Sequence, residues 1–164
     1  MEMPPEQMIN NWRIKRKRGT TELIEYKNKE KKCWMTNNKI DTEDQLKIIP
    51  NNVHGNVLVL GLGLGIVVEM LAKYKAVKHI IVIEQSHEVI NMVWQYVEHD
   101  NKAKVVKMND IDYIKSNSIQ FDYVLADTYN DYSDITINTI INPLKQTTKK
   151  YLPFAQFVCW KPRV

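Results

Sequence analysis

Apolar and polar residues alternate through residues 12–36, as in Thr21-Glu22-Leu23-Ile24-Glu25-Tyr26 and Lys31-Lys32-Cys33-Trp34-Met35, with the polar tip Lys27-Asn28-Lys29-Glu30 between them. Alternation of period two around such tips predicts a small antiparallel meander. Asp41-Thr42-Glu43-Asp44 predicts the cap of a short helix through Ile49, closed by Pro50 and the turn at 51–55. From Asn56 the pattern changes. β-Rich runs at 57–60, 79–83, 104–108, 121–126 and 154–160 alternate with helical stretches, which predicts an α/β chain with a doubly wound, mainly parallel sheet of about five strands. Ile66, Val67, Met70, Leu71 and Tyr74 share one helix face, and Val89, Ile90, Val93, Trp94 and Val97 share another behind a Ser86 cap; both faces read as core. The expected division is a meander over 1–40 and a sheet domain over 41–164.

Composition narrows the setting. The 164 residues are 44% hydrophobic and 26% charged, ordinary for a soluble domain, and no apolar run approaches the ~20 residues of a membrane span. The start, MEMPPEQMINNW, has no basic and apolar signal-peptide pattern, so a cytoplasmic location is expected. Cys33 and Cys159 stand far apart without ligand spacing and read as reduced structural thiols, with no metal site. The net charge of +4 is uneven: residues 1–40 carry ten Lys and Arg against five Asp and Glu, whereas the remainder is nearly balanced. The run Arg13-Ile14-Lys15-Arg16-Lys17-Arg18 offers phosphate contacts to a nucleic acid, or a solvated edge strand with protective cations.

The candidate chemistry begins at NVLVLGLGLGIVVEM, residues 56–70, where Gly61, Gly63 and Gly65 alternate between a strand and a helix. A dinucleotide fingerprint needs G-x-G-x-x-G/A. Ile66 or Val68 stands at the third glycine in either register, so the NAD reading fails. G-x-G-x-G instead leaves a turn whose backbone a ligand can approach closely. Further marks fall at successive strand ends: Glu84 after HIIVI, Asp110 after VVKMN, and Asp127 after FDYVLA. In a doubly wound sheet, ligands bind outside these carboxyl ends, and a carboxylate after the second strand accepts from ribose hydroxyls. Adenosine recognition follows.

With those marks the chain resembles the Rossmann-like class I S-adenosylmethionine-dependent methyltransferases, and within them the spermidine-synthase-like branch. CWMT (33–36), NVLVLGLGLGIVVEML (56–71), HIIVIEQSHEVI (79–90), VVKMND (105–110) and FDYVLADTY (121–129) carry the resemblance. It implies S-adenosyl-L-methionine as cofactor, bound by Gly61, Leu62, Gly63, Gly65, Glu84, Gln85, Asp110, Ile111 and Asp127. The glycine loop would hold the methionine part, Glu84 the ribose and Asp110 with Ile111 the adenine. Asp127, Asp131 and Tyr129, with Tyr132 beside them, are the candidates for orienting the acceptor and taking its proton. The CWMT strand, through Trp34, is expected to form part of the wall.

The departures shape the expected chemistry. Val59 and Leu64 stand where related enzymes carry acids near the glycine turn, and Asp127-Thr128-Tyr129-Asn130 replaces the aspartate-serine-serine-aspartate pattern of aminopropyl transfer. No Asn/Asp-Pro-Pro-Tyr/Phe or Pro-Cys signature follows the fourth strand, which disfavours amino-directed and carbon-5 methylation of DNA. The leading expectation is a methyltransferase acting on a small-molecule or amine acceptor. Aminopropyl transfer and a non-catalytic module binding cofactor or nucleic acid stay open, as do the acceptor atom and a homodimer.

Overall fold

In the computed structural model, which describes residues 2–161, the N-terminal segment forms β1 (Gln7–Ile9), β2 (Trp12–Lys17), β3 (Thr20–Lys27) and β4 (Glu30–Thr36). They make one antiparallel sheet in the order β1-β2-β3-β4. Two-residue turns close the later hairpins, with Arg18-Gly19 and Asn28-Lys29 both at positive φ, the geometry that matches strand twist. β1 was not expected, because three residues are too few to display a period. Its pairing with β2 also corrects the edge-strand expectation: the basic strand lies inside the sheet, with β1 and β4 at the edges. Two cations of the run are engaged within the chain. Arg13 pairs with Glu6 at 2.7 Å, and Arg16 donates to the Met3 carbonyl at 2.6 Å.

Between β3 and β4 the register slips. Leu23 opposes Met35 but Ile24 opposes Cys33, so Trp34 is the extra residue of a β-bulge. The bulge places Met35 on the Leu23 side of the sheet, away from the face that strict alternation with Cys33 would assign.

The helix after β4, α1 (Lys39–Leu46), begins two residues earlier than expected. Asn38, rather than the acidic run, supplies its cap, accepting from the Asp41 N–H at 2.9 Å. Then follow β5 (Gly55–Leu60), α2 (Ile66–Lys73), β6 (Val77–Glu84), α3 (His87–Val93), β7 (Ala103–Lys107), α4 (Asp110–Ser116), β8 (Tyr123–Ala126), α5 (Asp134–Thr136), α6 (Asn142–Tyr151) and β9 (Gln156–Cys159). A π-helical turn at Ile137–Ile141 joins α5 to α6, and a 3₁₀ turn at Trp94–Tyr96 ends the α3 region short of Val97. The five later strands are all parallel, in the order β7-β6-β5-β8-β9. This is the doubly wound sheet expected. The chain steps from β5 toward one edge and then returns to the other, so the turn after β5 lies at the switch point where such sheets bind ligands.

Alternation along β5 covers both faces. Val57 and Val59 join one apolar cluster with Val67, Leu71, Val89 and Val93, while Leu58 and Leu60 join another with Ile114, Leu144 and Leu152. Ile14 and Leu23 of the N-terminal sheet, both nearly inaccessible, belong to the first cluster. The two sheets therefore share one core. No helix among the described residues is long and apolar enough to cross a membrane.

Candidate active site

All three glycines of the β5–α2 turn lie at positive φ, a region that other residues enter only at a cost. At Gly61 the reason is proximity as well: a Cβ there would fall 2.5 Å from the Asp127 carbonyl. The residue that follows β8 thus packs against the turn that follows its neighbour β5. The turn also exposes backbone donors, and Glu84, at the end of β6, takes one of them. Its Oε2 accepts from the Leu62 N–H at 3.1 Å, and its Oε1 from the Ser86 N–H at 2.8 Å.

A cavity of about 720 Å³ opens between these strand ends and the N-terminal sheet. Gly61, Gly63, Glu84, Gln85, Asp127 and Tyr129 line one side. Trp12, Leu23, Glu25, Lys32, Trp34 and Met35 line the other. Trp12 and Trp34 lie with ring centroids 6.0 Å apart. The Trp34 Nε1–H donates to Glu25 at 2.9 Å, and the Lys32 ammonium sits 3.9 Å from the Trp34 ring centre. Acids predominate: Glu25, Glu30, Glu84, Glu88 and Asp127 against Lys27 and Lys32. Such a lining favours a ligand with positive charge.

A smaller cavity of about 240 Å³ lies beside the first, and Trp34, Met35, Asp127 and Tyr129 border both. Its far side is formed by Asp41, Asp44, Gln45, Asn130 and Trp160. Gln45 is buried, with its amide donating to the Thr36 carbonyl at 3.4 Å while its Oε1 has no partner among the described residues.

The carboxyl groups differ in ways that sequence alone does not reveal. Burial pushes Asp127 up to about 7. Burial also raises Asp110 to about 7, opposed by a hydrogen bond from Thr128 and aided by the nearby Glu84 charge. Glu84 is raised by burial as well, opposed by the backbone donors of Ser86, Leu62 and Gln85. Asp131 goes the other way, to about 2, because the Thr136 hydroxyl and the Ser133 N–H and hydroxyl donate to it. Its carboxylate is committed to the start of α5. It does not line either cavity, in contrast to the expectation that it faces the reacting centre. Tyr129 borders both cavities, but its hydroxyl donates to the Trp160 carbonyl at 2.7 Å, and burial pushes the phenol further up. It walls the site rather than offering a base.

The adenine-side residues also sit differently from expectation. Asp110 accepts a hydrogen bond from Thr128, and Ile111 packs with the second apolar cluster; neither lines the main cavity. Leu62 and Gly65 back the turn, Gly65 against Val97, whose Cγ2 would lie 2.4 Å from an added Cβ. Sequence reasoning missed Trp12, Glu25 and Gln45. The CWMT string signalled its own strand, naming Trp34, and the structure puts Met35 beside it on the wall.

Two partly buried carboxyls raised to about 7 make stability depend on pH. Between the unfolded value near 3.8 and the folded value near 7, the native state holds protons that the unfolded chain releases, so stability falls as pH rises through that window. The expected slope is about −1.4 kcal/mol per pH unit for each carboxyl. Urea unfolding between pH 5 and 7 tests it. Asp110→Asn or Asp127→Asn should each remove about half of the slope.

The sheet order, the glycine turn at its switch point and the acid after β6 define the class: the chain has the Rossmann-like fold of the class I methyltransferases. A model of the spermine/spermidine synthase domain matches residues 43–151, and the chain belongs to that family. Among solved structures, it is similar to the spermidine synthase of Thermotoga maritima, with 17% identity and a TM-score of 0.58 over 85% of this chain and 52% of that one. A spermidine synthase in complex with the transition-state analogue AdoDATO gives 17% identity and a TM-score of 0.56, over 90% and 54%. The N-methyltransferase NodS from Bradyrhizobium japonicum WM9, in complex with S-adenosyl-L-homocysteine, gives 14% and 0.54, over 75% and 62%. The chain thus spans about half the length of the spermidine synthases it resembles. A search of the curated proteins by sequence finds no match.

Proposed function

We propose that this protein transfers a methyl group from S-adenosylmethionine to a small cationic amine. One observation carries the reading: two acid-rich cavities meet at Asp127, a carboxyl held near 7 at the switch point of the sheet. The cofactor's chemical groups fit the donors and acceptors of the larger cavity. Glu84 faces it from the end of β6 with the acceptor character that ribose hydroxyls need, and the glycine turn offers backbone at close approach. The acidic lining suits a sulfonium and an ammonium. When bound, S-adenosylmethionine supplies an activated methyl group on positively charged sulfur.

The chain's own task is then to hold the amine and remove its proton. Asp127 is the proposed base, because a carboxyl near 7 takes up a proton readily at neutral pH. Gln45 Oε1, Asp41 and the Trp34 and Trp160 rings are proposed to hold the amine in the smaller cavity, by hydrogen bond, charge and cation–π attraction. The aromatic walls, Tyr129 buried and Trp34 and Trp160 half-buried, would limit the water around the transfer.

The family match supports a second reading, aminopropyl transfer from decarboxylated S-adenosylmethionine. One experiment separates the two. The purified protein is offered polyamines and small amines with either cofactor, and its products are resolved by chromatography. S-Adenosylhomocysteine is expected. Methylthioadenosine would establish aminopropyl transfer instead, and absence of both products with every acceptor would reduce the protein to a binding module.

A further inference from the structure

The glycine turn already contains a sulfur. A Cβ on Gly63 would lie 2.5 Å from Met35 Cε and 2.6 Å from Met35 Sδ, so the thioether fills the space that this glycine leaves open. Leu64 N–H donates to the same sulfur at 3.0 Å. Met35 reaches the turn from another sheet, and it does so because the bulge at Trp34 sets it on the Leu23 side of β4. It also borders both cavities.

We propose that Met35 is a displaceable plug of the glycine turn, which selects ligands by their tail and separates the two cavities until such a ligand arrives. The proposal rests on the cofactor reading given above. A thioether is a weak acceptor on a flexible, unbranched side chain, so the Leu64 N–H is held at low cost. A carboxylate on a ligand tail forms the stronger, charge-assisted bond to that N–H and takes the space over Gly63. Met35 then rotates away, and the partition between donor and acceptor cavities opens at the point where Asp127 borders both. A nucleoside with no tail has nothing to exchange for the sulfur and leaves Met35 in place. Amine capture is thereby tied to the presence of the full cofactor.

The test uses protein labelled with ¹³C at the methionine methyl groups, with the Met35 resonance assigned by its loss in Met35→Leu. Adenosine should leave that resonance where it is, and S-adenosylhomocysteine should move it. In calorimetry, Met35→Ala should bind S-adenosylhomocysteine about tenfold more tightly than wild type, the factor expected when the competent state is about a tenth of the population. Its affinity for adenosine should stay within about twofold. Binding of S-adenosylhomocysteine by the wild-type protein with an unmoved Met35 resonance overturns the plug while sparing the cofactor reading. So does weaker binding by Met35→Ala, which would make Met35 a supporting wall. If wild type binds neither adenosine nor S-adenosylhomocysteine, the cofactor reading falls and the plug falls with it.

Discussion

Asp127→Asn is expected to lower the rate of transfer by roughly 10²–10⁴, the usual contribution of a positioned acid–base group, while leaving the fold and most of the cofactor affinity in place. The size follows from the position. Asp127 borders both cavities, and among the described residues no lysine or arginine accompanies it on the wall of the smaller one. Burial holds its carboxyl near 7, so an amide of the same shape removes the base without removing bulk. Its main-chain carbonyl, against which Gly61 packs, is untouched. The pattern of loss is as informative as its magnitude. A base loses kcat at saturating cofactor, whereas a group that only binds the cofactor recovers its rate at saturation. Recovery would move the proton-accepting role away from Asp127.

Glu84→Ala is expected to weaken S-adenosylhomocysteine binding by ~1.5–3 kcal/mol, the range for losing a charged hydrogen-bond partner, or about 10–150-fold in Kd. Two effects combine. The variant removes the acceptor proposed for the ribose, and it releases the Leu62 and Ser86 N–H groups, contacts that shape the glycine turn and the approach to α3. Glu84→Gln separates them, because its amide oxygen can still accept from Leu62. Binding restored by Gln would assign the loss to the turn; binding still weak would assign it to the ribose. Calorimetry on both variants, with the fold checked by circular dichroism, provides the comparison. Unchanged affinity in Glu84→Ala would remove this residue from the cofactor site.

The parallel sheet was readable because buried parallel strands are continuous apolar runs between turn signals, as at 57–60 and 79–83, and because Gly61, Gly63 and Gly65 punctuate the first of them. Other features depend on relations that hydrophobic period does not record. Asp131 looked chemical because it is an acid near Asp127, yet Ser133 and Thr136 draw it to the start of a helix. Met35 looked like an ordinary strand residue, and only the extra residue at Trp34 turns it toward Gly63. Gln45 became visible through its missing partner. Met35 and Gln45 were decided by contact between elements, and Asp131 by bonds to residues two and five positions on, none of which composition or period records.

The shared core has a consequence for the lifetime of the protein in a cell. Ile14 and Leu23 are sealed in the cluster that also holds Val57 and Val59, so the N-terminal sheet cannot peel away without baring that cluster to proteases. A ligand seated between the layers adds its binding free energy to the whole unit, about 2.7 kcal/mol at a concentration one hundred times its Kd. Abundance of the protein would then follow the supply of its ligand: starved of it, the chain opens more often and is degraded sooner.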